Sequence, residues 1–213
     1  MRAEFTPPAT HGFHGFFMCQ KMVSYTLQAE LEQVAGHNKP LADAVASLFP
    51  FDFTLTCKSP SNNYQLTSGF DDAFDRAAQL AGWKPSSINT PPTFSREHDG
   101  CFDIGGLRVV VEIEKANWEK FLYDLLKCHV YVSSGADGCL ILLPVNWPHS
   151  GGIKDIYGDC LPRLSIAREY NAVRADVLDS LVVVGFRQMY NGSLFDVQAR
   201  AAMREDCERQ LGT

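Results

Sequence analysis

Three acidic residues in one short stretch carry the clearest chemical signal of the sequence. Glu112 and Glu114 alternate with apolar residues over 107–115, so in a β-strand both carboxylates would lie on one face. Like charges beside apolar neighbours repel each other and are poorly solvated, and a bound cation relieves both problems. Asp103 precedes a Gly-Gly turn at 105–106, and we expect the resulting hairpin to bring it to the same place. Three converging carboxylates suit Mg²⁺, which also keeps waters and takes phosphate oxygens as ligands.

Hydrolysis of a phosphodiester is the chemistry that such a site permits. A metal ion held by Asp103 and Glu112 would polarise the phosphate, and Glu114 would orient or deprotonate a water or bind a second ion. Acidic strands on solvated sheet faces are also common, so an exposed face is the alternative interpretation. Asp99 is a rival to Asp103, although we expect a turn at that position.

The patterns around these residues predict one α/β domain, 1–213, with a central mixed sheet flanked by α-helices. We expect 1–24 to be a flexible or surface arm and 71–145 to be the catalytic core. Apolar spacing predicts helices over 25–36, 41–49, 71–81, 118–130, 161–177 and 196–211. Alternating or continuous apolar runs predict strands over 101–104, 107–115, 139–145 and 181–186.

The combination Asp103-x8-Glu112-x-Glu114, followed by the helix carrying Asp-Leu-Leu-Lys at 124–127 and an apolar strand over 138–143, resembles the PD-(D/E)xK nuclease core. In particular it is similar to type II restriction endonucleases of the BamHI and BglII type. The segment FDIGGLRVVVEIEKANWEKFLYDLLK carries the likeness, helped by AGWKP upstream, and the likeness spans about 71–145. Phe102 replaces the usual Pro before the Asp, and Glu114 stands where most members have Lys.

The resemblance implies a restriction-endonuclease-like core and a Mg²⁺-dependent endonuclease acting on double-stranded DNA, with Mn²⁺ able to substitute. It implies that Asp103 and Glu112 bind the metal and that Glu114 completes the catalytic set. A homodimer would let two sites cut two strands. The alternatives are a catalytically inactive DNA-binding or protein-interaction module with this fold, and a nuclease acting on RNA or damaged DNA.

Further side chains are candidates for supporting roles. Asn89, or Ser87, would approach the site under the resemblance. His98 is a candidate accessory group, although a loop histidine is more often simply exposed. Lys115 adjoins Glu114, but the alternation of side chains along a strand predicts that its side chain lies on the opposite face. Lysines around the following helix suit either phosphates or solvent, and the loop 146–159 offers donors and an aromatic ring to DNA. The expected DNA contacts are Asn146, Trp147, His149, Lys154 and Lys120.

Composition narrows the possible classes of protein. The formal net charge of -6 argues mildly against a protein that coats nucleic acid, but not against a nucleic-acid enzyme. The longest apolar runs, at 140–145 and 181–186, fall far short of the roughly 20 residues that cross a bilayer. The seven cysteines show no CxxC pair, so we expect neither a disulfide framework nor a zinc module, and a cytoplasmic location.

Overall fold

The structure is a computed structural model that describes residues 22–58, 66–94, 98–115, 118–149 and 152–211. The predicted arm over 1–24 lies outside the described residues except for its last three, which begin the first strand. No helix in the described ranges is both long and apolar enough to cross a membrane.

A large mixed sheet with helices on its faces forms the fold, as the sequence predicts for an α/β protein. The strands are β1 (Met22–Gly36), β2 (Phe51–Lys58), β3 (Leu66–Ser68), β4 (Lys84–Pro85), β5 (Gly100–Ile104), β6 (Leu107–Ile113), β7 (Gly138–Pro144), β8 (Trp147–His149), β9 (Gly152–Lys154), β10 (Leu181–Tyr190) and β11 (Ser193–Leu194). The helices are α1 (Lys39–Ala46), α2 (Phe70–Leu80), α3 (Trp118–Ser133), α4 (Ile156–Glu169), α5 (Ala175–Ser180) and α6 (Val197–Leu211).

The main sheet has the strand order β3-β2-β1-β10-β7-β6-β5-β4, and β11 pairs with β10, while β8 and β9 form a separate hairpin. Strands β6, β7 and β10 run parallel at its centre, and the flanking pairs are antiparallel. Helix α3 connects β6 to β7, as a parallel pair requires. The continuous apolar run of β7 is buried on both faces, which explains why it lacks alternation.

The sheet separates two apolar cores, and β6 contributes to both. Val109, Val111 and Ile113 pack on one side with residues of α2, including Phe74. Val110 packs on the other side with residues of α3. The two-residue period of β6 therefore decides which of its side chains face α3.

The helix predicted over 25–36 is wrong, because this segment is the long strand β1. It pairs with β2 and β10, and its register with β10 shifts between Leu31 and Gln33. A bulge of this kind breaks the two-residue alternation of apolar side chains. The result is a spacing of Leu27, Leu31 and Val34 that imitates the period of a helix.

Two further expectations about the C-terminal half are corrected. The predicted helix over 161–177 is two helices, α4 and α5, and the chain turns between them through Asn171 at a φ of 51°. The segment 146–159, predicted as a loop, holds β8 and β9 and the start of α4. Asp155 caps α4, since its carboxylate accepts the Gly158 N–H at 2.7 Å.

A disulfide joins Cys57 of β2 to Cys207 of α6 and ties the last helix to the sheet. The cysteine pattern, from which we expected no disulfide framework, does not indicate this single bond, because 150 residues separate partners that only the fold brings together. Four other cysteines are buried free thiols: Cys101, Cys128, Cys139 and Cys160.

Candidate functional site

Glu112 and Glu114 lie at the carboxyl end of β6, on the side of the sheet that α3 covers. Glu112 is 3% exposed and Glu114 is 4% exposed, so neither carboxylate is on a solvated face. The Glu114 N–H donates to the Leu142 carbonyl at 3.1 Å, which continues the pairing of β6 with β7 past the end of the strand. The backbone therefore fixes both carboxylates beneath the helix.

Helix α3 supplies three polar side chains to the same place. The Lys127 ammonium contacts Glu112 Oε2, and its Nζ lies 3.4 Å from Asp124 Oδ1. The Tyr131 hydroxyl donates to Glu112 Oε1 at 2.9 Å. Positions 124, 127 and 131 are three and four residues apart, so they share one helix face. We call Glu112, Glu114, Asp124, Lys127 and Tyr131 the β6–α3 cluster.

The buried charges of the described residues are concentrated in this cluster: Glu112, Glu114, Asp124 and Lys127. The cluster thus holds three buried carboxylates and one buried ammonium, which contacts Glu112 and Asp124. Lys120 adds a second cation, 3.3 Å from Glu114 Oε2, but its side chain is 66% exposed. A surplus of buried negative charge is unfavourable and attracts cations.

The electrostatics of the cluster reflect this surplus. Burial raises the pKa of Glu112 to about 7; Lys127 opposes that shift and the charge of Asp124 adds to it. Burial likewise raises the pKa of Asp124 to about 6, with Lys127 opposing and Glu114 adding. Burial alone would lower the pKa of Lys127, but its contacts with Glu112 and Asp124 prevail and leave that pKa raised.

Asp103 lies apart from this cluster, so the expected convergence of three carboxylates at the hairpin turn is wrong. It pairs in register with Arg108, and its Oδ1 accepts the Gly106 N–H at 3.0 Å, which closes the turn. Glu112 stands four residues beyond Arg108 on β6, about 13 Å along the strand. In an antiparallel hairpin the end of the second strand meets the start of the first, which is not where Asp103 lies.

Asp99 occupies the position next to the end of β6. Its N–H donates to the Val111 carbonyl at 3.1 Å, and its carboxylate accepts the Ile113 N–H at 2.6 Å. Since Gly100 pairs with Val111, Asp99 lies across the hairpin from Glu112. The register of the hairpin therefore favours Asp99, the rival candidate, over Asp103 as the aspartate of the site.

The two lysines nearest Glu114 have separate partners. Lys115 reaches the opposite side of the sheet, where its Nζ lies 2.6 Å from both carboxylate oxygens of Asp71 on α2. The parity prediction for Lys115 is thus supported, and it does not replace a lysine at position 114. Lys120 pairs with Glu114 rather than projecting freely toward a ligand.

The remaining accessory candidates are dispersed. His98 lies beside the cluster, with its ring centroid 6.0 Å from that of Tyr131. Asn89 and Ser87 are exposed in the segment between β4 and β5.

Among the expected DNA contacts, Asn146 has a structural role. It is 2% exposed, its Nδ2 donates to the carbonyls of Gln188 and Phe195, and its Oδ1 accepts the Gln188 N–H at 2.8 Å. Its amide is fully used by the chain, because it bridges the end of β7 and the strand β10, so the expectation that it contacts DNA is wrong. Trp147 and Lys154 face each other in the β8–β9 pairing and are half-buried. His149 belongs to β8, but its side chain lies outside the described part.

Asp124 and Tyr131 belong to the cluster but were not predicted from the sequence. On α3, the apolar residues Phe121, Leu125 and Cys128 are buried, whereas Leu122 and Leu126 are 48% and 59% exposed. The buried face of the helix therefore carries polar residues beside its apolar ones. The detectable signal was the helical spacing of 124, 127 and 131 opposite two glutamates, which the amphipathic pattern alone does not reveal.

The donor set of the cluster fits a divalent cation in type and charge. Among the described residues, no three His, Cys, Asp or Glu side chains are grouped as ligands of one ion. Mg²⁺ needs fewer protein ligands, because one or two carboxylates together with waters and substrate phosphate suffice. Glu112 and Glu114 are two such carboxylates, and the surplus negative charge around them favours an added cation.

Comparison with known proteins adds no assignment: no family model matches the chain, and no curated protein matches it. The resemblance to PD-(D/E)xK nucleases thus remains an expectation from the sequence.

Proposed function

We propose that the protein is a Mg²⁺-dependent endonuclease that hydrolyses phosphodiester bonds of double-stranded DNA. The observation that carries the proposal is the buried pair Glu112 and Glu114 with Asp124 beside it, three carboxylates against one buried lysine. Their place at the carboxyl end of a parallel strand also supports it, because open α/β sheets bind ligands at that edge. The choice of DNA as the substrate rests on the resemblance of the sequence to PD-(D/E)xK nucleases.

The proposed roles follow from the contacts. Glu112 and Glu114 would hold the ion, and Asp99, which the register places across the hairpin from Glu112, would join them. When bound, Mg²⁺ supplies polarisation of a phosphate oxygen and a more acidic water. Tyr131 fixes the rotamer of Glu112 through its 2.9 Å hydrogen bond, and burial beneath α3 strengthens every charge interaction at Glu112.

The order of elements also supports a restriction-endonuclease-like core. The hairpin β5–β6, the helix α3 and the buried strand β7 follow one another as the resemblance implies. We infer a homodimer from the need to cut two strands, and its test is the molar mass in solution with and without a DNA duplex. A cytoplasmic location remains a prediction.

Plasmid cleavage tests the proposed activity. Supercoiled DNA is incubated with the protein and Mg²⁺, with an EDTA control, and nicked and linear products are quantified. Glu112→Gln should abolish cleavage, because it removes the charge of one ligand while keeping the shape of the side chain. Glu119→Gln is the matched control, since it makes the same charge-removing substitution at an exposed position of the neighbouring helix α3. Equal cleavage by wild type and Glu112→Gln would refute the assigned roles.

An inactive module is the second candidate, and one observation favours it. Both carboxylate oxygens of Glu112 already have partners, Lys127 and Tyr131, so the cluster is internally neutralised in part. Such a module would bind duplex DNA or a protein without cleavage, with or without Mg²⁺. A labelled duplex that binds the protein and remains uncleaved after prolonged incubation would identify such a module.

A further inference from the structure

The Lys127 ammonium occupies one of the two carboxylate oxygens through which Glu112 could bind a cation. It contacts Glu112 Oε2 and stands 3.4 Å from Asp124 Oδ1. Its side chain is only 9% exposed, so the charge is held inside the cluster rather than at the surface. An ammonium and a divalent ion that share a carboxylate oxygen at this range repel each other strongly in a poorly solvated site.

We propose that Lys127 is a resident counter-ion that competes with the divalent cation, so that metal binding requires the ammonium to leave Glu112. This inference rests on the proposed function, because it assumes that a divalent ion binds at Glu112. It adds a form of regulation: the metal-free site is closed by the protein's own cation, and metal entry is coupled to a movement on α3.

The helix provides an aromatic neighbour for the displaced ammonium. Lys127 Nζ already lies 5.9 Å from the centroid of the Tyr123 ring, one helical turn earlier, and Tyr123 is 41% exposed. Long side chains on a helix lean toward its N-terminus, so a change of rotamer can carry the ammonium from Glu112 toward solvent along this ring. A cation over an aromatic face near solvent retains a favourable contact while regaining water.

Charge balance explains why the exchange is feasible. With Lys127 inside, the three buried carboxylates keep a surplus of negative charge. A divalent ion replaces one positive charge with two, which compensates more of that surplus. The Lys127 ammonium therefore neutralises Glu112 in the metal-free protein, but a divalent ion interacts with Glu112 more strongly.

Metal affinity measured without any substrate tests the competition. Free Mn²⁺ is titrated by electron paramagnetic resonance in the presence of wild type, Lys127→Met and Lys120→Met. Lys127→Met should bind Mn²⁺ at least about tenfold more tightly than wild type, because the internal competitor is gone. Lys120→Met removes the same charge from a solvent-exposed neighbour of Glu114 and should change the affinity by less than about threefold.

A second measurement on the wild-type protein covers the case in which Lys127→Met fails to fold. The side-chain NMR signal of Lys127, assigned by its loss in Lys127→Arg, is followed during a Mg²⁺ titration. Movement toward the shift of an exposed lysine, saturating with metal binding, supports the proposal.

The contrary outcomes are distinguishable. Equal Mn²⁺ affinity of wild type and Lys127→Met, or an unmoved Lys127 signal in a metal-saturated protein, overturns the competition and leaves the proposed nuclease intact. Absence of Mn²⁺ binding in both proteins overturns the competition and the proposed metal site together.

Discussion

Replacing Glu112 with Gln should make the folded protein more stable at alkaline pH. Burial raises the pKa of Glu112 from 4.5 to about 7 in spite of Lys127, so the ionised carboxylate is a net burden on the fold. Gln matches the protonated acid in size, and its single amide oxygen can accept from Lys127 while its amide NH2 donates to the Tyr131 oxygen. The variant therefore keeps a hydrogen bond to each partner, with the direction at Tyr131 reversed, and loses the buried charge.

The sign of the pH dependence follows from proton binding. Between pH 4.5 and about 7 the folded protein holds a proton at Glu112 that the unfolded chain releases, so stability falls as the pH rises through this window. The pKa difference, about 7 minus 4.5, corresponds to roughly 3 kcal/mol at about 1.4 kcal/mol for each pKa unit. The advantage of Glu112→Gln should thus be about 3 kcal/mol at pH 8 and about 1 kcal/mol or less at pH 5.

Urea unfolding followed by tryptophan fluorescence at both pH values measures this difference. Glu119→Gln, at an exposed position of α3, should change the unfolding free energy by less than about 0.5 kcal/mol. The unfolding free energy of Glu112→Gln should still fall as the pH rises, but less steeply than that of the wild type. The reason is that burial also raises the pKa of Asp124, to about 6. A variant less stable than wild type at pH 8 would show that the ion pair with Lys127 outweighs the burial of Glu112.

Three further predictions test the register and packing of the fold. Asp99→Asn should abolish Mg²⁺-dependent plasmid cleavage while Asp103→Asn retains it, and the reverse result would contradict the placement of the site at the end of β6. Asn146→Ala should lower the unfolding free energy in urea by about 3 kcal/mol, because it strips buried backbone groups of their partners; an unchanged midpoint would contradict this role. Gly185→Ala should cost about 1–3 kcal/mol in thermal unfolding, since its Cβ would lie 2.8–3.0 Å from the Tyr157 ring, and a wild-type melting temperature would show that the ring moves aside.

The sequence predicts the centre of the sheet better than its flank. The hairpin β5–β6 and the strand β7 were predictable because a Gly-Gly turn, an alternating run and a continuous apolar run are local signals. Strand β1 was not predictable, because its bulge removes the alternation that marks a strand. Its two neighbours, β2 and β10, are separated from each other by more than 100 residues along the chain, so no local pattern indicates the pairing.

The site was predictable only in part for a related reason. Alternation in β6 correctly placed Glu112 and Glu114 on one face, but alternation does not say what covers that face. Polar residues on an amphipathic helix ordinarily face solvent, so Asp124 and Tyr131 gave no sign of burial. The aspartate was misplaced because the spacing of Asp103 fits the motif, whereas hairpin register decides which residue meets the end of β6.

The buried charges of the β6–α3 cluster lower the stability of the fold, and this loss of stability indicates that they have a function. Buried ion pairs can often be replaced by apolar side chains without loss of stability, so a cluster with surplus charge is not explained by folding alone. Stability and cleavage measured on Glu112→Gln separate the possible explanations. Greater stability with lost cleavage indicates a site kept for chemistry at the expense of the fold. Greater stability in a protein whose wild type never cleaves DNA indicates an inactive module that retains the charges, and lower stability indicates an ion pair that serves packing.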